Sequence, residues 1–202
     1  MAATIGDNTM RSALPLDGRA VAGRTPGLLL GPYYPLEPSA DASTDLWDRD
    51  VPLPADARYL RLQGTVVNLQ GRPVTGAWVE IWHADHQGRY RHPSAPRREQ
   101  VAAGFTGYGR TRSDARGHFS FRRVVPGAYA AGDVRRAPHV HLQVTGQIDR
   151  LVTQMFLPGH PLNRGDHWYR TVSRPELLTP QVVRDDPGNA LVLAWTVALA
   201  QG

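Results

Sequence analysis

From Arg58 onward, apolar and polar residues alternate in short runs. RYLRLQGTVVN (58–68), GAWVEIWHA (76–84), FTGYGRT (105–111), HFSFRRV (118–124), HVHLQV (139–144) and RLVTQMFLPG (150–159) repeat with a period close to two. At that period strand side chains change face. In the second run Val79 and Ile81 share one face, while Trp78, Glu80 and Trp82 share the other. LQGRPV (69–74) and SDARG (113–117) carry the Gly, Pro and Asp of tight turns. Residues 160–189 read as loop with one helical turn around PELLTPQVV, and NALVLAWTVALA supplies a closing buried strand over 190–200. Roughly six or seven short strands with turns between them predict an all-β fold, an antiparallel β-sandwich with long functional loops near 86–104 and 126–138. The sandwich domain spans 58–202. Residues 1–57, rich in Gly, Pro and Asp, form an irregular N-terminal arm placed to wrap the core or a neighbouring subunit, not an independent domain.

Composition narrows the function. The chain has 202 residues, enough for one domain with a sizeable core. All 23 basic residues are arginine and the net charge is +5, but they are scattered among 18 acids, with no basic run. The expectation is therefore no nucleic-acid partner. The chain has no cysteine, which excludes disulfides, thiolate metal sites and thiol nucleophiles. MAATIGDNTMRSALPLDG has no apolar core of a signal segment, and the apolar tail is too short to span a bilayer, so a cytoplasmic protein without membrane contact is expected.

Within the alternating run RAPHVHLQV, His139 and His141 fall on one face and Val140, Leu142 and Val144 on the other. Two imidazoles side by side on a strand make half a metal site. Glu80 and Asp85 can reach it only through folding. Tyr90, in GRYRH, and Tyr129, in PGAY, are the informative partners. A phenolate is a hard donor with an ordinary pKa of about 10. A strongly polarising cation, Fe(III) above all, holds it deprotonated at neutral pH. Taken singly, each of these residues has a plainer reading: a surface histidine pair, a packed loop ring, a turn. The other histidines (His83, His86, His92, His118, His160, His167) read as solvent-facing or hydrogen-bonded.

Together with their flanks, these residues resemble the catalytic domain of the intradiol ring-cleavage dioxygenases. The likeness runs from Gly64 to Gly159 through GTVVNLQGRPVTGAWVEIWHADHQGRYRH, GYGRTRSDARGHFSFRRVVPGAY, RRAPHVHLQV and LVTQMFLPG. It implies one non-haem Fe(III) held by Tyr90, Tyr129, His139 and His141. Tyr129 doubles as an internal base, and Arg136 and Gln154 act beside the substrate. The pocket would be lined by Gly31, Pro32 and Tyr33 of GPYYP and by Trp82. The implied reaction is O2-dependent cleavage of a catechol between its hydroxyl-bearing carbons to a cis,cis-muconate-type product, in aromatic catabolism. The short arm resembles the protocatechuate 3,4-dioxygenase type and implies a homo-oligomer assembled through it. Ala130, Ala131 and Gly132 after Tyr129 imply a roomy pocket. Two other readings remain open here: a non-catalytic transthyretin-like or carboxypeptidase-regulatory-like sandwich, and a partner subunit of a hetero-oligomeric dioxygenase.

Overall fold

The computed structural model describes residues 21–39, 43–186, 188 and 190–202. Residues 1–20, over which the sequence predicts no signal segment, lie outside them. The strands are β1 (Tyr59–Val67), β2 (Trp78–His83), β3 (Tyr108–Arg112), β4 (His118–Val124), β5 (Tyr129–Ala131), β6 (Val134–Arg136), β7 (His139–Thr145), β8 (Arg150–Phe156), β9 (Gln181–Arg184) and β10 (Leu191–Ala198). One short helix, α1 (His167–Thr171), lies between β8 and β9. Among the described residues no helix is long and apolar enough to cross a membrane.

Two four-stranded sheets, β4-β1-β10-β9 and β3-β2-β7-β8, face each other. Leu60, Leu62, Phe121, Leu193 and Val197 of the first meet Val79, Ile81, Val140, Leu142 and Met155 of the second in one fully buried cluster. Burying each such side chain is worth ~1.5–3 kcal/mol. The alternation read from the sequence therefore marks the inner faces of an all-β sandwich.

Three features depart from that reading. First, β1 and β10 pair in parallel, whereas the other pairings are antiparallel. A parallel neighbour needs a long crossover, and here the chain between them builds the whole second sheet as well as β4, β5, β6 and β9. Second, the loop at 126–138 folds into the hairpin β5–β6, and the segment 160–189 holds, besides the expected helical turn (a 3-10 turn, Pro175–Leu178), α1 and the edge strand β9. These pieces are three to five residues long, too short for periodicity to declare itself. Third, the chain before β1 contributes to the core. Leu46 and Trp47 are almost wholly buried, and the Trp47 indole N–H donates to the Val51 carbonyl at 2.7 Å. Upstream, Thr25 and Leu28 bond to the backbone of Ala198 and Val152. An isolated Leu-Trp pair among Asp and Ser has no period to reveal it.

Gly64 sets how closely the chain packs at the centre of β1. A Cβ there would come within 2.0 Å of the Phe119 ring tip, which lies over it from the paired strand β4. Gly64→Ala is expected to destabilise the domain by ~1–3 kcal/mol through overpacking, measured as a lower urea midpoint. Adding Phe119→Leu should recover part of that loss.

Candidate metal centre

The site lies on the outer face of the second sheet. Trp82 of β2, His141 of β7 and Gln154 of β8 stand in one register row. The Trp82 and His141 rings stack nearly parallel, 8° apart with centroids at 5.0 Å. His139 stands two residues along the same strand. Its Nε2 lies 3.3 Å from His141 Nε2 and 3.5 Å from the Tyr90 hydroxyl. His139 Nδ1 donates to the Ala137 carbonyl at 2.6 Å, because a carbonyl can only accept. That bond fixes the tautomer and leaves the Nε2 lone pair aimed at the space between the rings.

The segments leading to both tyrosines are tied together by one buried residue, Asp85, through its carboxylate and its backbone carbonyl. Asp85 Oδ1 accepts from the backbone N–H of Gln87 and Arg89, and Oδ2 from Arg89 Nε and the Ala102 N–H. The Asp85 carbonyl in turn accepts from the N–H of Gly127, two residues before Tyr129. The two loops touch through their backbones. A Cβ on Gly88 would fall 2.2 Å from the Ala128 carbonyl oxygen, and one on Gly127 would fall 2.4 Å from that of His86. This contact sets Tyr90 edge-on to Tyr129, with ring centroids 5.3 Å apart. The sequence shows Asp85 only as the opening residue of DHQG, a turn whose carboxylate caps it.

Tyr129 and Arg136 face each other across the β5–β6 hairpin. The Arg136 guanidinium spends its nitrogens on three neighbours: Nε on Asp166 at 2.9 Å, Nη2 on the Gln154 side-chain oxygen at 2.7 Å, and Nη1 on the Tyr129 hydroxyl at 3.5 Å. Asp166 is fully buried and absent from the sequence reading. Its Oδ2 also accepts from the Ala137 N–H, and its Oδ1 caps the N-terminus of α1. A helical turn of five residues left no signal by which to find it.

GPYYP closes over the centre. Gly31 has φ of 78°, and a Cβ there would sit 2.9 Å from the His141 ring, so only glycine lets the arm come this close. Tyr33 packs on Tyr90 at 4.6 Å, while Pro32 is exposed beside the turn. Tyr34 lies edge-on to Trp82 and donates to buried Glu80, which also accepts from Tyr108 and Gln143. Glu80 and Asp85, left open on sequence grounds, thus hold the walls and do not join the four donors. A cleft of about 320 Å³ opens beside Tyr33, Trp82 and Tyr90.

Burial dominates the electrostatics. It raises the Tyr90 and Tyr129 phenols, Tyr90 well above the ordinary tyrosine value. Burial, followed by the Arg136 charge, brings His139 down to about 3. Burial and then His139 push His141 well below the ordinary histidine range. Without a cation the set is two neutral imidazoles and two phenols. A cation among them suits the donors: the Nε2 atoms of His139, whose tautomer is fixed, and of His141 converge, and two phenol O–H groups stand ready to yield protons. The other histidines have their own contacts: His83 to the Ala84 carbonyl, His86 to Asp56, His92 to the Ser94 N–H, His118 to Asp114, His160 to the Leu162 N–H and His167 to the Trp168 ring. No cluster of three or more His, Asp or Glu suited to a metal occurs among the described residues.

Residues 29–201 match the family described as Dioxygenase. The protocatechuate 3,4-dioxygenase beta chain of Burkholderia cepacia is 35% identical over 127 residues, 60% of this chain and 51% of that one. Catechol 1,2-dioxygenase 2 of Acinetobacter lwoffii is 30% identical over 199 residues, 88% of this chain and 66% of that one. The chain therefore spans between about half and two thirds of those relatives. Among solved structures, the dioxygenase domain of a dioxygenase carbohydrate-binding protein fusion from Streptomyces sp. SirexAA-E superposes with a TM-score of 0.69 at 25% identity, covering 89% of this chain and all of that one. Catechol 1,2-dioxygenase from Acinetobacter sp. ADP1 shares the fold, with a TM-score of 0.70 at 23% identity over 88% of this chain and 63% of that one.

Asp166→Ala would leave Arg136 buried and unpaired. The expected cost is ~3–5 kcal/mol in chemical denaturation. Asp166→Leu combined with Arg136→Met should recover most of it.

Proposed function

The chain belongs to the intradiol ring-cleavage dioxygenase family, and from that premise we propose that it cleaves a catechol with O2 between the two hydroxyl-bearing carbons, giving a cis,cis-muconate-type product. The proposed cofactor is one Fe(III) held by Tyr90, Tyr129, His139 and His141. The observation that carries this reading is the convergence of the His139 and His141 Nε2 atoms and the Tyr90 hydroxyl, with the His139 tautomer fixed from behind. When bound, a ferric ion supplies electron withdrawal that makes the catecholate ring reactive towards O2.

The chain's own residues handle protons, charge and water. A catechol that binds as a dianion gives up two protons. Tyr129 Oη takes one and leaves as a phenol. Its ring is only partly buried and sits on a three-residue strand beside the Gly132 turn, so it has room to swing. With Fe(III) held by the four donors, a hydroxide sharing the site would take the other proton, and two phenolates with that hydroxide would match the trivalent charge, so no uncompensated charge would be buried. Arg136, locked between Asp166 and Gln154, provides a permanent positive field for the negative charge that grows on the ring. Tyr33 and Trp82 wall off solvent. Assembly into a homo-oligomer is part of the same proposal. Two similar chains are named as the alpha and beta chains of one Burkholderia cepacia enzyme.

The substrate class follows from the wall beside Tyr129. Ala130 and Ala131 are small and exposed, and Gly132 turns the hairpin away. We take this as support for a pocket that admits bulky ring substituents.

Ferric loading of the metal-free protein should produce a red to brown phenolate-to-iron absorption and release about two protons per chain near neutral pH. Because burial raises both phenols, ferric affinity should fall as pH falls. A colourless protein that releases no protons would overturn the ligand set.

Tyr129→Phe should lower kcat about 100-fold or more, followed by the ultraviolet absorbance of the muconate product. In a substrate panel, catechols with bulky substituents should be turned over alongside protocatechuate, and Ala131→Trp should suppress the bulky ones selectively. Turnover confined to protocatechuate would contradict the roomy pocket.

A further inference from the structure

Arg123 is a cation in the core with nothing to answer it. On β4 the inward side chains are Phe119, Phe121 and Arg123, and Arg123 is completely buried. Its Nε, Nη1 and Nη2 all lack a hydrogen-bond partner among the described residues. The Phe121 ring, 6.0 Å from the guanidinium carbon, offers only its face. Among the described residues no carboxylate pairs with it, and burial alone lowers its pKa, to about 9. By contrast, buried Arg136 has Asp166 and Gln154. A guanidinium has five N–H donors, and a core position that satisfies none of them is a strong demand for an acceptor.

The sheet opposite supplies the second half. His83 continues the inward row of Val79 and Ile81 on β2, is fully buried, and packs its ring on Phe105 at 5.0 Å. Its Nδ1 donates to the Ala84 carbonyl at 2.7 Å, so Nε2 is a lone-pair acceptor, and that atom too has no partner among the described residues. Leu46 joins the two neighbourhoods: its N–H donates to the Arg122 carbonyl, and its carbonyl accepts from the N–H of Thr106, next to Phe105. After burial, the Arg123 charge is the next cause holding His83 down to about 3. His83 is also among the residues lining the 320 Å³ cleft, so this part of the core lies just behind a wall open to solvent.

We propose that Arg123 and His83 form a cradle for one small monovalent anion, bound between the two sheets and separate from the four donors of the metal centre. One guanidinium supplies a single positive charge and a fork of N–H groups, matching a halide or a hydrogencarbonate. His83 Nε2 accepts the O–H of hydrogencarbonate, or of a water that accompanies a halide. Phe105 and Phe121 exclude larger, multiply charged oxyanions.

The test uses the full chain and two ligand arms. Thermal unfolding is followed in sodium bromide and in sodium hydrogencarbonate, each against sodium gluconate at equal ionic strength and pH. In parallel, anomalous difference maps are computed for crystals soaked in bromide. The expected result is a saturable Tm rise of roughly 5 °C in at least one arm, absent in Arg123→Met. A bromide peak should lie at the guanidinium if the halide arm responds. A response to hydrogencarbonate alone assigns the oxyanion. No Tm rise in either arm overturns the proposal, as does an equal rise in Arg123→Met. A bromide peak without a Tm shift means binding at crystal concentration only, and also overturns it. Should Arg123→Met fail to fold, the wild-type arms and the map still decide.

Discussion

Two imidazole nitrogens face each other across 3.3 Å in a site closed to water, with a phenol hydroxyl at similar range. That arrangement carries a cost: the groups are desolvated, and their pKa values move towards the neutral forms. The surrounding structure is organised to hold this unfavourable geometry in place. The Ala137 carbonyl sets one tautomer, the Trp82 ring stacks flat on the other imidazole, and Gly31 brings the arm against it without a Cβ. A cation placed among the donors would compensate for their lost solvation, and preorganisation of this kind suits the proposed metal centre.

The supports are mostly buried carboxylates that touch none of the four donors. Asp85 ties the loop carrying Tyr90 to the one carrying Tyr129. Asp166 clamps Arg136 and caps α1 with its other oxygen. Glu80 gathers Tyr34, Tyr108 and Gln143, and so fastens GPYYP to the sheet. Each acid is buried with several donors, the condition under which a charge in the interior is tolerated. Glycine has a complementary part. Gly31, Gly88 and Gly127 each stand where a Cβ would meet a ring or a carbonyl, so close approach of backbone to site is built into the chain.

This division of labour explains what could be read from the chain. The four proposed donors and Arg136 were legible as candidates because the first pair lies on an alternating strand and the rest recur in a familiar order of motifs. Gln154 was legible for the same reason, and the structure pairs it with Arg136. Asp166 was not, because its meaning arises only when α1 folds back beside β6. Asp85 and Glu80 could be seen as nearby acids, but their partners come from loops and strands up to 63 residues away. Arg123 read as one more strand arginine in FRRV, since alternation reports which face a side chain occupies and says nothing of whether that face holds an acceptor.

The sequence by itself determined the β character of the chain, the inward and outward faces of its main strands, and the residue types available for chemistry. A two-residue period and side-chain identity are local properties, so both are written in the order of the residues. Tertiary structure alone decided that the first and last strands pair in parallel, that Leu46 and Trp47 enter the core, and which acid supports which site residue. Those outcomes depend on distances between residues remote in the chain. Such distances are set by how two sheets and their loops fill space together, a constraint that no local stretch carries.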